Sequence, residues 1–185
     1  FYDLRLMVER TEIAELAAAA ARRRNTEAVV HLKVDTGLSR FGCRVEDADS
    51  LIDRLQAIEG LNLEGIAAHF ADSGQNRERT EAQIAEFDRI ASRTDLLQPL
   101  SNSAGASLYP HAVRNLVRVG IAAYGVDPYG MFDGELLPIL SWKARIMSLR
   151  QRPAGTLVSY SGQHRCQRET VIATLGVGYG DGYPR

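Results

Sequence analysis

Cysteine and lysine are both scarce in this chain, with two of each among 185 residues. Cys43 and Cys166 lie far apart without CxxC partners, which argues against a disulfide framework and fits a reducing cytosol. The lysines are Lys33 and Lys143; the other twenty basic residues are arginine, so Lys33 stands out. Charge of neither sign is in excess: the net charge is -1, which leaves no electrostatic footprint for nucleic acid or an anionic membrane. No apolar run approaches the length of a membrane span. No two of the four histidines (His31, His69, His111, His164) have the i, i+4 spacing of a helical metal site. A cytoplasmic globular protein without nucleic-acid, membrane or metal partners is expected.

What is present is most informative over residues 29–42, VVHLKVDTGLSRFG. The β-branched Val29, Val30, Val34 and Thr36 favour a strand, and Asp35-Thr36-Gly37 supplies the turn that ends it. The near-continuous apolar run suggests burial on both faces, as in a parallel sheet. Charges at the end of such a strand are costly unless paired or bound to something. On this segment alone, Lys33 and Arg40 read equally well as a site or as a structural ion pair.

Along the chain, Thr11 reads as the N-cap of a helix whose last turn carries arginines. A strand follows at 28–34, then a helix at 45–58 with Gly60 as its stop, a strand at 63–71 and a helix at 76–92. A short strand at 98–102, a short helix near 105–113 and a strand at 116–124 complete the alternation. Lys33, His69 and Ser103 fall at strand ends about 35 residues apart, the repeat of a β/α unit. A doubly wound sheet gives the same local pattern, and in either fold ligands bind at the carboxyl ends of the strands. From about residue 138 the texture becomes β-rich, broken by Pro and Gly. The expectation is α/β, part of a TIM-like (β/α)8 barrel over 1–137, followed by the beginning of an all-β domain over 138–185. A closed barrel needs more strands than these, so the chain reads as a piece of a longer protein.

Six motifs occur in one order: HLKVDTGLSRFG (31–42), AAHFADSG (67–74), SNSAG (101–105), RVGIAAYG (118–125), VSY (158–160) and GVGYGDGYPR (176–185). Together they resemble alanine racemase, a pyridoxal-phosphate enzyme with a barrel domain and a β domain. The resemblance implies interconversion of L- and D-alanine by two-base α-proton exchange, supplying D-alanine for peptidoglycan. It assigns Ser103, Gly120 and Ile121 to the cofactor phosphate and Arg118 to the pyridine nitrogen. A permanently protonated guanidinium there would donate a hydrogen bond while keeping the ring a weak electron sink. Tyr160 matches the catalytic tyrosine, expected to reach the other subunit's site in a homodimer, with His69 linking it towards Arg118. Arg40 matches a residue near the cofactor oxygen and the substrate carboxylate, and Tyr179 a pocket-lining aromatic. Lys33 matches a lysine that many members carry as a carbamate.

The sequence also departs from the family pattern. The lysine that attaches the cofactor lies on the family's first barrel strand, ahead of Phe1, and neither Lys33 nor Lys143 replaces it by motif. The later segment with a Cys-Met pair and another phosphate-binding tyrosine is also absent. Pro99 stands where many members have histidine. The polypeptide as written is therefore expected to be inactive alone. A racemase of wider range, accepting serine or lysine, and a non-catalytic pyridoxal-phosphate-binding remnant remain as alternatives.

Overall fold

The computed structural model describes residues 4–184, and it divides into two compact units after Ile139. The first unit begins with β1 (Leu6–Val8), α1 (Thr11–Arg22), β2 (Ala28–Asp35) and β3 (Cys43–Arg44). It continues with α2 (Ala48–Gln56), β4 (Leu61–Ala67), α3 (Arg77–Ala91) and α4 (Ser103–Leu108). All four strands form one parallel sheet around β2, which pairs with β1, β3 and β4. Val30, Leu32 and Val34 on β2 are wholly buried, and so are Leu55 of α2, Ile66 of β4 and Phe87 and Ile90 of α3. The alanines at 14 and 18 have no exposed surface, and their small size lets α1 lie close to the strands.

Helix α1 starts at Thr11 itself, and the preceding Arg10 makes no side-chain cap. The expected Thr11 cap is therefore corrected: its Oγ1 accepts from Arg54 Nη2 at 2.8 Å, tying α1 to α2. Asn76 caps α3 by accepting from Arg79 N at 3.0 Å. The strand expected over 63–71 ends at Ala67, which leaves His69 in the loop beyond it.

Two expected strands do not form. Around 98–102 one isolated parallel bridge, Gly65 with Leu97, is all that joins the sheet. Pro99 has no N–H to donate, and Gln98 N is taken by Asn115 Oδ1 at 2.8 Å. Over 116–124 the backbone is irregular and ends in a 3₁₀ turn, Ile121–Tyr124. Arg118 N donates to Ser101 O at 3.0 Å, a bond too isolated to build a ladder. The short helix also shifts: it begins at Ser103, and Pro110 restricts Tyr109 and starts a separate 3₁₀ turn, Pro110–Ala112.

The second unit is built of short antiparallel pairs. β5 (Ile146–Arg152) pairs with β8 (Thr170–Leu175), and β6 (Leu157–Val158) pairs with β7 (His164–Arg165). Among the described residues no helix is long and apolar enough to cross a membrane.

Candidate active site

Four basic side chains of the first unit gather at the carboxyl end of its sheet. Lys33 comes from β2 and is 8% exposed, Arg40 from the loop after it, His69 from the loop after β4, and Arg118 from the irregular 113–120 segment. Arg118 is anchored by its own donors: Nη1 to Pro99 O, and Nη2 to Ala68 O and to His69 Nδ1, both at 2.8 Å. A guanidinium only donates, so His69 Nδ1 must accept and neutral His69 carries its proton on Nε2.

This crowding shifts the titrations. Burial, then the charges of Arg118 and Arg40, lower the Lys33 ammonium to about 7, so much of it is a free amine near neutrality. Burial, followed by Arg118, Lys33 and Arg40, lowers His69 to about 4, which keeps the imidazole neutral at working pH. Asp35 offsets only part of this charge: its attraction raises Lys33 by less than burial and the two arginines lower it. The Asp35 Oδ1 accepts from the amides of Gly37, Leu38 and Ser39 at 2.9 to 3.0 Å. Burial alone would raise its pKa; those amide bonds overcome this and hold it below the usual value.

Beside Arg118 and His69 lies a cavity of 360 Å³, whose wall includes Ser103, Gly120 and Ile121. Ser103 opens α4, and its Oγ accepts from Gly120 N at 3.2 Å and Ala122 N at 3.3 Å. With both contacts made as acceptor, the hydroxyl proton stays free to donate to an anion. Asn102 caps α4 by accepting from Gly105 N at 2.8 Å, and Ser73 Oγ donates to the same oxygen at 3.0 Å. Gly105 is required by packing, since a Cβ there would come within 2.5 Å of the Phe70 ring. Gly120 is different: a Cβ built on it meets no protein atom within 4 Å.

Tyr160 and Tyr179 belong to the second unit. Tyr160 is 95% exposed and stands between two residues of positive φ, Ser159 at 61° and Ser161 at 60°. Left-handed backbone at a non-glycine residue is uncommon and costly, and here two such residues flank one exposed tyrosine. Tyr179 opens a 3₁₀ turn closed by Gly178 N donating to Asp181 Oδ2 at 2.9 Å.

The family model "Alanine racemase, N-terminal domain" matches residues 1–128, and "Alanine racemase, C-terminal domain" matches residues 139–185. The chain belongs to the alanine racemase family. The alanine racemase of Desulforamulus reducens is 38% identical over the whole chain, and that of Halothermothrix orenii 35%. The chain spans about half the length of these curated relatives, 53% and 51%. Among solved structures, an alanine racemase from Clostridium difficile 630 is similar with a TM-score of 0.84 at 29% identity, over 98% of this chain and 50% of that one. A histidine racemase from Leuconostoc mesenteroides subsp. sake is similar with a TM-score of 0.78 at 28% identity, over 97% and 51%. The fold is thus part of the alanine racemase barrel followed by the start of its β domain.

Three contributors escaped the sequence reading. Asn102 and Asp35 are announced by ordinary signals, an Asn before a Ser-Ala-Gly turn and an Asp before Thr-Gly. Gln83 is harder to see: it occupies the buried stripe of α3 with Thr80, Ile84, Phe87 and Ile90. A polar residue in that stripe was the available signal.

Proposed function

We propose that the full-length protein is a pyridoxal-phosphate-dependent alanine racemase. Beyond family membership, the observation that carries this reading is Arg118 held against neutral His69 beside a cavity walled by Ser103 and Gly120. The residues fit the cofactor. Gly120 lines the cavity where its missing Cβ would touch nothing of the protein, and Ser103 presents a hydroxyl whose proton is free. The guanidinium groups of Arg40 and Arg118 suit an anionic cofactor and a substrate carboxylate. In this proposal Ser103, Gly120 and Ile121 hold the phosphate, Arg118 faces the ring nitrogen, and Arg40 holds the substrate carboxylate with Tyr179 lining the pocket. When bound, pyridoxal phosphate supplies the electron sink that acidifies an amino acid's α-proton.

The chain's own residues then govern proton movement. Arg118 donates a hydrogen bond without releasing a proton, because guanidinium does not titrate in this range. Tyr160 moves the α-proton on one face through its hydroxyl, and His69 Nε2–H is the donor that steadies the tyrosinate oxygen. The exposure of Tyr160 suits service to the site of a second copy in a homodimer. The barrel part, residues 1–137, then binds cofactor, and the β part, 138–185, supplies Tyr160 and Tyr179. Lys33, part free amine near neutrality, attacks carbon dioxide through Nζ and releases one proton. The resulting carbamate offsets the neighbouring arginine charge. Production of D-alanine for peptidoglycan in the cytoplasm completes the proposal, and two unpaired, buried cysteines agree with a reducing compartment.

The test is deuterium uptake from heavy water into Cα of each alanine enantiomer by the full-length protein with pyridoxal phosphate. Uptake into both enantiomers is expected, and Tyr160→Phe should lose it for one while still binding the cofactor. No uptake by the wild type would overturn the racemase reading; undiminished uptake into both by the variant would remove Tyr160 from its role. The similarity to a histidine racemase favours a second reading of wider substrate range. The same exchange assay with histidine, serine and lysine separates it from an alanine-specific enzyme.

A further inference from the structure

Gln83 is 2% exposed, yet it carries a primary amide in the middle of the buried face of α3. Its Oε1 accepts from Ala71 N at 2.8 Å. Its Nε2 donates to His69 O at 3.2 Å and to Thr36 Oγ1 at 3.1 Å. The amide orientation is fixed by these partners, since a backbone N–H must meet the oxygen and a carbonyl must meet the nitrogen. Buried amides are costly unless satisfied, and this one is satisfied by two separate loops.

The first loop follows β2 and runs from Thr36 to Arg40; Arg79 of α3 also holds it, donating from Nη2 to Gly37 O at 2.7 Å. The second follows β4 and carries His69, clamped by Gln83 on both sides of Phe70. Lys33, Arg40 and Arg118 all face His69, and like charges so close repel one another. Arg118 keeps its place among these cations through Ala68 O and His69 Nδ1 of the second loop, while Arg40 stands on the first. The spacing of the group therefore depends on how the two loops are tied.

We propose that Gln83 is a positioning residue of the active site, locking the Thr36–Arg40 loop to the His69 loop so that the basic groups stay together. It touches no reacting group and acts through the backbone on His69. Its meaning for catalysis rests on the racemase reading, but its geometry does not.

The experiment is a histidine NMR titration of the cofactor-free full-length protein, following His69 in wild type, Gln83→Met and Thr36→Val. Wild-type His69 should stay neutral to about pH 4. In Gln83→Met the untied loop lets His69 retreat from Arg118 and Lys33, so the midpoint should rise by a unit or more, a tenfold gain in proton affinity. Thr36→Val removes one bond of the three and should move the midpoint in the same direction by less. It decides the matter if Gln83→Met does not fold. A purely structural glutamine would lower stability and leave the titration of the folded protein where it was. Unmoved midpoints in folded variants would overturn the proposal. Failure of the full-length protein to bind pyridoxal phosphate would overturn the racemase reading instead, and would leave the titration to be judged alone.

Discussion

Two glycines near the cavity, Gly120 in its wall and Gly105 packed behind it, illustrate how differently one residue type can matter. Gly105 is held by the Phe70 ring, so a side chain there disturbs the protein itself. Gly120 has open space in front of it and a φ of −117°, outside the left-handed region that favours glycine. Gly120→Ala should therefore leave the thermal midpoint within about 1 °C of wild type, as neutral surface substitutions do. It should nevertheless weaken pyridoxal-phosphate binding by the full-length protein about tenfold or more, because close backbone approach to the phosphate is lost. Equilibrium dialysis against the cofactor, paired with a thermal melt, reads both halves. Unchanged affinity would mean that the glycine is not where the phosphate sits. At this scale the sequence was legible wherever chemistry was unusual for its place: a rare lysine, an arginine in an apolar stretch, a serine before a turn. Gln83 stayed hidden because a glutamine on a helix reads as a solvated side chain by residue type, and only its place in the apolar stripe of α3 signals burial.

At the scale of elements, α4 is only six residues long and depends on its cap. Asn102 accepts from Gly105 N and also from Ser73 Oγ, so one side-chain oxygen orders both the helix start and the neighbouring loop. Asn102→Ala should cost about 1 kcal/mol in urea stability, the usual worth of a cap, and more if Ser73 is left without a partner. Ser103 would lose its fixed position, so phosphate affinity should fall with stability, unlike the Gly120→Ala case. A stability loss with intact affinity would show that Ser103 is held by Gly120 and Ala122 alone. The strongly patterned elements, β2 and the three longer helices, were legible from periodicity. The strands expected at 98–102 and 116–124 were not, since strand formation depends on a partner's ladder. Pro99 and the diverted Gln98 N–H remove the donors such a ladder needs. Local sequence carried the apolar content of these segments but not their pairing.

The whole molecule carries an electrostatic load, and its pH dependence follows. A base whose folded pKa lies below its unfolded value binds a proton more readily when unfolded, so stability rises with pH between the two values. For His69 the window runs from about 4 to the ordinary imidazole value of 6.5, and for Lys33 from about 7 to the ordinary 10.5. Each should contribute a slope approaching 1 kcal/mol per pH unit within its window, somewhat less for the partly exposed His69. The depressed carboxylates Asp35 and Glu64 act in the same direction, but their stabilisation is lost only as pH falls below the ordinary values of 3.8 and 4.5, at the acid edge of the His69 window. Urea melts of the cofactor-free full-length protein at pH 5 and 6, and again at pH 8 and 9.5 in carbon-dioxide-free buffer, should show stability climbing in both intervals. His69→Gln should flatten the lower interval and Lys33→Met the upper. Adding bicarbonate should itself weaken the upper slope in the wild type, because a carbamylated lysine no longer titrates as an amine. A flat upper interval in carbon-dioxide-free buffer would mean that Lys33 is not lowered towards neutrality by burial and its arginine neighbours. The carbamate proposal would then lose its chemical basis.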